Sequence, residues 1–158
     1  PGVGTIESFL SDGLRTALAT MPGVPDMAER TLRWPGHVEA IRPLVASGDL
    51  VAELRARCSA EPARDLVVLV VRARWRGHRV EARLVDPRDE ATGLTAMART
   101  TALTTSVVAQ LAAAGGLRGP GVRPLELVAS DPGAFPFITD ALAARGVGPV
   151  LVERREGA

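Results

Sequence analysis

The chain has 158 residues, of which 46% are hydrophobic and 23% charged, a composition typical of one ordinary globular domain. Its 19 basic and 18 acidic side chains nearly cancel, and its aromatic residues are limited to 3 Phe and 2 Trp, so no nucleic-acid-binding surface is indicated. The longest apolar run, LVVLVV at Leu66 to Val71, is far shorter than the roughly 20 residues of a membrane span, so no membrane partner is expected.

The cysteine and histidine content limits the possible chemistry further. A single Cys58 forms no internal disulfide, and no signal peptide is visible, which favours the cytoplasm. Two histidines and one cysteine without metal-ligand spacing indicate no metal site. The chain begins Pro-Gly-Val-Gly without an initiator Met, so we expect a fragment or processed form of a longer protein.

The first third of the chain alternates short strands with helical patterns. In MAERTLRW, Leu32 and Trp34 point the same way and are expected on the core face. The pattern after it is helical and stops at Gly48, with Pro43 bending or interrupting it. In chain order, the predicted elements are a strand in IESFL, a helix in GLRTALAT, a strand in MAERTLRW and a helix in HVEAIRPLVASG.

The remainder begins with a strong hairpin signal around Arg76-Gly77. Its continuous apolar start is typical of a central strand. A long helix is predicted from Thr95 to Ala114, with Met97, Thr101, Val108 and Leu111 near one stripe. The last predicted elements are a helix in SDPGAFPFITDALAARG and a strand in GPVLVERR. This order predicts a single α+β domain over residues 1–158, with two layers and a mixed β-sheet covered by helices.

Two arginines are the main candidates for binding chemistry. Arg33 precedes the abrupt turn Pro35-Gly36, and Arg99 stands near the start of the long helix, where backbone N–H groups attract anions. An arginine fork together with a helix N-terminus suits a carboxylate ligand, either an amino acid or a dicarboxylate. The alternative is ordinary ion pairing, of Arg33 with Glu29 and of Arg99 with Asp89 or Glu90.

Three ordered motifs connect these arginines to a known family. They are DGLRT at Asp12 to Thr16, ERTLRWPGH at Glu29 to His37, and GLTAMARTT at Gly93 to Thr101, the last followed by VVAQLAAAGGLRGPGV. In this order the chain, from about Gly4 to Val152, resembles the C-terminal domain of the saccharopine dehydrogenase (saccharopine reductase) family and the related L-lysine dehydrogenases.

The resemblance implies a fold like the C-terminal domain of glyceraldehyde-3-phosphate dehydrogenase, and a domain that binds the amino-acid substrate and forms a homodimer. It also implies that Arg33 holds a substrate carboxylate, with Thr31, Gly36, His37 and Arg99 as further substrate-binding candidates. His37 is equally a candidate cap of the following helix. Ala102-Leu103 departs from the family pattern after TAMARTT, which favours a packing role for that segment.

The resemblance further implies an oxidoreductase acting on a C–N bond with NAD or NADP. The chain has no dinucleotide fingerprint, so we expect it to bind no cofactor by itself and to be inactive without an N-terminal Rossmann domain absent from it. The catalytic residues remain unassigned. Saccharopine or free lysine is the expected substrate. The alternatives are an L-lysine 6-dehydrogenase domain and a non-catalytic module that dimerises or binds a ligand.

Overall fold

The computed structural model describes residues 4–58 and 64–155 of the chain. They form two compact units, one within Pro1–Ala63 and the other within Arg64–Ala158, and each is described by itself. In the described residues, each unit holds one antiparallel sheet and three helices. The predicted α+β class is therefore confirmed, whereas the described strands form two antiparallel sheets instead of one mixed sheet. The single domain predicted over residues 1–158 stays a prediction.

The first unit is built on two short antiparallel strands. Glu7 lies opposite Arg33 and Leu10 opposite Arg30, so the pairing spans both strands fully. All four predicted elements of this region are present, and Pro43 lies within the predicted helix without ending it. The elements are β1 (Glu7–Leu10), α1 (Ala17–Thr20), β2 (Arg30–Arg33), α2 (His37–Ser47) and α3 (Leu50–Cys58).

Two features of the first unit differ from the sequence analysis. Helix α3 was not predicted, because its apolar residues form no clear stripe among the charged ones. Trp34 was expected on the core face, but 58% of its surface is exposed. The reason is that β2 ends at Arg33, one residue before Trp34. The alternation of side chains along a strand, which would place Trp34 on the same face as Leu32, therefore does not extend to Trp34.

The second unit contains the predicted hairpin extended by a third strand. The sheet order is β3-β4-β5, so β3 is an edge strand and not the central strand that its apolar run indicated. Arg76 and Gly77 form the two-residue turn, both with positive φ, as tight hairpin turns require. The elements are β3 (Leu66–Trp75), β4 (His78–Pro87), α4 (Ala96–Ala113), α5 (Leu125–Val128), α6 (Ala134–Ala143) and β5 (Val150–Arg155).

Helices α4 and α6 supply most of the core of the second unit. Ile138 of α6 packs against both of its buried clusters, which links them. The buried side of α4 includes Leu111 of the predicted stripe but not Met97, which is 63% exposed. Threonines interrupt the apolar positions of this helix, so the sequence pattern does not clearly indicate which face is buried. The clusters consist of Val107, Leu142 and Val147, and of Leu111, Val128 and Ala134. In the described part of the chain, no helix is both long and apolar enough to cross a membrane.

A buried ion pair organises the glycine-rich loop between α4 and α5. Asp131 accepts hydrogen bonds from both terminal nitrogens of Arg123, at 2.5 and 2.9 Å, and from the backbone N–H of Arg118 at 3.1 Å. Arg123 also donates to the carbonyl oxygens of Arg118 and Leu127. The hydrogen bonds from Arg123 and then Arg118 lower the pKa of Asp131 from 3.8 to about 2.

Acid should therefore weaken this unit through Asp131. A carboxyl group whose folded pKa lies below its ordinary value stabilises the fold above that value, and loses this contribution as the pH falls from 3.8 toward 2. We expect Asp131→Asn to lower the free energy of unfolding at pH 7, and the difference from the unchanged chain to shrink by pH 2. Urea unfolding at pH 7, 4 and 2 measures this. The exposed Asp140→Asn is the control, and a pH-independent difference for Asp131→Asn would contradict the assignment.

Candidate functional site

The candidate site of the first unit is the turn that joins β2 to α2. The chain leaves the strand at Arg33 and starts the helix at His37, whose N–H donates to the carbonyl oxygen of Trp34 at 3.2 Å. Gly36 lies between them with a φ of 88°, a backbone conformation that strains other residues. Gly36 is the N-cap residue of α2, so His37 is its first helical residue and not its cap.

The carboxylate of Glu7 binds the start of helix α2. Its two oxygens accept hydrogen bonds from the N–H groups of Gly36, at 3.0 Å, and Val38, at 2.8 Å. These groups belong to the first turn, where backbone N–H groups lack helical partners and the helix dipole favours negative charge. Glu7 therefore ties strand β1 to helix α2 and holds the turn between them.

This arrangement leaves the charge of Arg33 uncompensated. Glu7 lies directly opposite Arg33 in the sheet, yet its carboxylate is used by the helix. Among the described residues no carboxylate lies within 4.0 Å of the Arg33 guanidinium, whose one hydrogen bond runs from Nη1 to the carbonyl oxygen of Leu32 at 2.8 Å. The ion pair with Glu29 considered in the sequence analysis is not formed, and Glu29 accepts a hydrogen bond from Ser11.

Thr31 and His37 are the other polar candidates of this unit. Thr31 is two residues from Arg33 on the same strand, so both lie on one face, about 6.8 Å apart along it. The hydroxyl of Thr31 lies 2.7 Å from that of Ser11, which also donates to Glu29. His37 is half-buried at the helix start. The turn thus brings four predicted residues together: Thr31, Arg33, Gly36 and His37.

Arg99 belongs to the second unit and is held by several acceptors. Its terminal nitrogens lie 3.2 Å from carboxylate oxygens of Asp86 and Asp89, and one of them also donates to the carbonyl oxygen of Gly146 at 3.2 Å. Asp86 is buried, with 3% of its surface exposed. The interpretation of Arg99 as an ion-pair partner of Asp89 is therefore confirmed. Its substrate-binding role stays a prediction.

The N-terminus of α4 is not open to a ligand, contrary to the sequence-based expectation. Asp65 accepts hydrogen bonds from the N–H groups of Ala96 at 2.7 Å and Met97 at 2.8 Å, and Thr95 caps that of Ala98 at 3.1 Å. Desolvation by itself would raise the pKa of Asp65, but the hydrogen bonds from Met97 and Ala96 lower it overall. This helix start is closed by the protein's own carboxylate.

Glu7 and Asp65 are the two site-forming residues that the sequence analysis missed. Each caps a helix about 30 positions away, since Glu7 bonds Gly36 and Asp65 bonds Ala96, 29 and 31 residues on. Local capping patterns place the acceptor next to the helix, so they contain no signal for such distant caps. Within the described ranges, no group of three or more His, Cys, Asp or Glu residues is placed to hold a metal ion.

Comparison of the chain with protein-family models, with curated proteins and with solved structures finds no match.

The cap formed by Glu7 should be measurable at single amides. We expect Glu7→Ala to remove the hydrogen-exchange protection of the Gly36 and Val38 amides and to cost about 1 kcal/mol of stability, the usual cost of losing an N-cap. Amide exchange followed by NMR measures both sites. Glu39→Ala, a matched change in the first turn of the same helix, should leave both amides protected. Equal loss of protection in the two variants would show that the Glu7 carboxylate is not the cap.

Proposed function

We propose that this chain is the substrate-binding and dimerisation domain of an NAD(P)-dependent oxidoreductase of the saccharopine dehydrogenase kind, acting on a C–N bond of an amino acid. The observation that carries the proposal is the exposed guanidinium of Arg33, which has no carboxylate partner in the described residues. It lies within the motif ERTLRWPGH, on which the family resemblance rests. The two-layer fold implied by that resemblance and a location in the cytoplasm belong to the proposal.

In this proposal Arg33 binds a carboxylate of the amino-acid substrate through paired N–H donors. A guanidinium suits this task because its planar fork matches the two oxygens of a carboxylate. The cap by Glu7 keeps the turn in place, so the position of Arg33 does not depend on the ligand. Thr31 and His37 provide further polar groups beside it, and Gly36 provides the left-handed turn.

The nicotinamide cofactor would be held outside this chain. The glycine-rich segment 115–121 follows helix α4, and the N–H groups of Gly115 and Gly116 are bonded to carbonyl oxygens at the end of that helix. These two groups are therefore not free to hold a phosphate, which supports a cofactor site outside this chain. When bound to a Rossmann domain, NAD or NADP accepts or supplies the hydride. The described chain would bind and orient the amino acid.

Replacement of Arg33 by Lys tests the substrate-binding role. In an enzyme that carries this chain together with its cofactor domain, we expect the KM for the amino acid to rise about 10- to 100-fold, because a charge-assisted paired hydrogen bond is lost. Arg30→Lys is the matched control. Arg30 is also exposed on β2, but it is on the opposite face and donates to Ser8. An unchanged KM in the Arg33 variant would remove this residue from the site.

The same enzyme distinguishes the three functional hypotheses. Reduction of NAD(P) with saccharopine supports the leading proposal, whereas reduction with free lysine alone would identify an L-lysine 6-dehydrogenase. Binding of the amino acid without turnover would favour a non-catalytic module. Because both enzymes and a ligand-binding module would take an amino acid, the Arg33 variant should weaken binding in each of these cases.

An apolar part of the second sheet suits the proposed homodimer. Leu69, Val71 and Trp75 alternate along the edge strand β3 and therefore lie on one face. Between 47% and 51% of each residue's surface is exposed. Burying such side chains in an interface contributes roughly 25 cal/mol per Å² of apolar surface removed from water. A second copy of the chain would cover this face.

A charge placed on this face should prevent dimerisation. We expect Val71→Asp to convert the homodimer to a monomer, since a buried unpaired carboxylate opposes association. Val85→Asp is the control, because Val85 is 49% exposed but lies on the opposite face of the sheet. Light scattering coupled to size-exclusion chromatography measures the mass. A dimer that survives Val71→Asp would exclude this face as the interface.

A further inference from the structure

The face of the second sheet opposite the proposed dimer surface carries a group of arginines. Strand alternation and the pairing of Arg72 with Glu81 place Arg72, Arg79, Glu81 and Arg83 on this face. We call these four residues the arginine face. Arg74, which pairs with Arg79 in the ladder, lies on the same side.

Glu81 is the centre of the arginine face. Only 7% of its surface is exposed, and its carboxylate accepts hydrogen bonds from three guanidinium groups. Arg72 donates through Nε at 2.7 Å, Arg79 through Nη2 at 3.5 Å, and Arg83 through Nε. Within these four residues, three positive charges share one negative charge, which leaves an excess of +2.

This excess is unusual among the arginine clusters of the described residues. Arg123 is the ion-pair partner of Asp131, and Arg99 lies between two carboxylates, so in neither of those clusters do several guanidinium groups bond to one carboxylate. The hydrogen bonds from Arg72 lower the pKa of Glu81 to about 2, with a further contribution from Arg83. Glu81 therefore remains ionised near neutral pH, and the excess charge is constant there.

The hydrogen bonds also organise the arginines for binding. Arg72 and Arg83 contact Glu81 through Nε, so their two terminal nitrogens are not needed for that contact. Their side chains are 57% and 61% exposed, whereas that of Arg79 is 35% exposed. Holding an arginine by one nitrogen restricts the side chain before a ligand arrives, which reduces the entropy lost on binding.

We propose that the arginine face binds a dianionic phosphate group, as free phosphate or as a phosphate monoester. A phosphate monoester carries a charge of about −1.5 to −2 and three acceptor oxygens, which match an excess of +2 and three guanidiniums. A single carboxylate would neutralise only half of that excess. The arginine face therefore differs in ligand class from Arg33, and it does not depend on the proposed function.

Titration with glycerol 3-phosphate at constant ionic strength tests the proposal. Saturable binding is expected at pH 7.5, and it should weaken at least tenfold in Arg72→Gln and in Arg83→Gln. Both positions are exposed, so these variants should fold, which circular dichroism verifies. Arg145→Gln, an exposed arginine of the same unit, is the control and should bind as the unchanged chain does.

The pH dependence separates phosphate recognition from general attraction of anions. Glu81, whose pKa is lowered to about 2, is ionised throughout the range from pH 5 to 7.5, and guanidinium groups are not deprotonated in proteins, so the charge change comes from the ligand. With a second pKa near 6, glycerol 3-phosphate should bind about tenfold more weakly at pH 5. Sulfate, a dianion at both pH values, should bind equally at both.

Comparison with inorganic phosphate identifies the source of the ligand. Tighter binding of the ester indicates a phosphorylated small molecule, and tighter binding of the free ion indicates phosphate itself; both outcomes support the proposal. Non-saturable binding would overturn it. So would equal competition by chloride or acetate at the same ionic strength, or binding that is unchanged in both glutamine variants.

Discussion

The capture of helix N-termini by distant carboxylates is the interaction on which both units depend. Glu7 binds the start of α2, and Asp65 binds the start of α4, each through two backbone N–H groups. In each case a residue at or next to a strand is tied to the first turn of a helix. The carboxylate satisfies N–H groups that have no helical partner and lies at the positive end of the helix dipole. The same contact closes both helix starts to outside anions.

The placement of carboxylates determines which arginines are available to bind a ligand. All 19 basic residues of the chain are arginines, so paired and unpaired basic residues differ in their surroundings and not in residue type. Arg99 and Arg123 are neutralised by buried aspartates and hold loops in place. The carboxylate of Glu7, opposite Arg33 in the sheet, binds a helix instead of Arg33. Around Glu81, several arginines share a single carboxylate. Both proposed ligand sites are places where positive charge exceeds negative charge.

The two faces of the second sheet suit different partners, because one face is apolar and the other carries an excess of positive charge. Leu69, Val71 and Trp75 give one face an apolar surface that can pack on an identical copy. The arginine face would repel its own copy, because two-fold packing would bring two groups with an excess charge of +2 together. Strand alternation therefore separates a surface suited to dimerisation from a surface suited to anions.

The sequence by itself determined the α+β class, the hairpin around Arg76-Gly77 and the turn after Arg33, because local periodicity and turn residues specify such features. It did not determine the edge position of β3 or the buried stripe of α4, since a long apolar run does not reveal how many neighbours a strand has. Only the tertiary structure decided that Arg33 has no carboxylate partner among the described residues and that Arg99 has two. The physical reason is that charge compensation depends on distance in space: Glu7 is opposite Arg33 in the sheet and 26 positions away in sequence, yet it binds the helix instead.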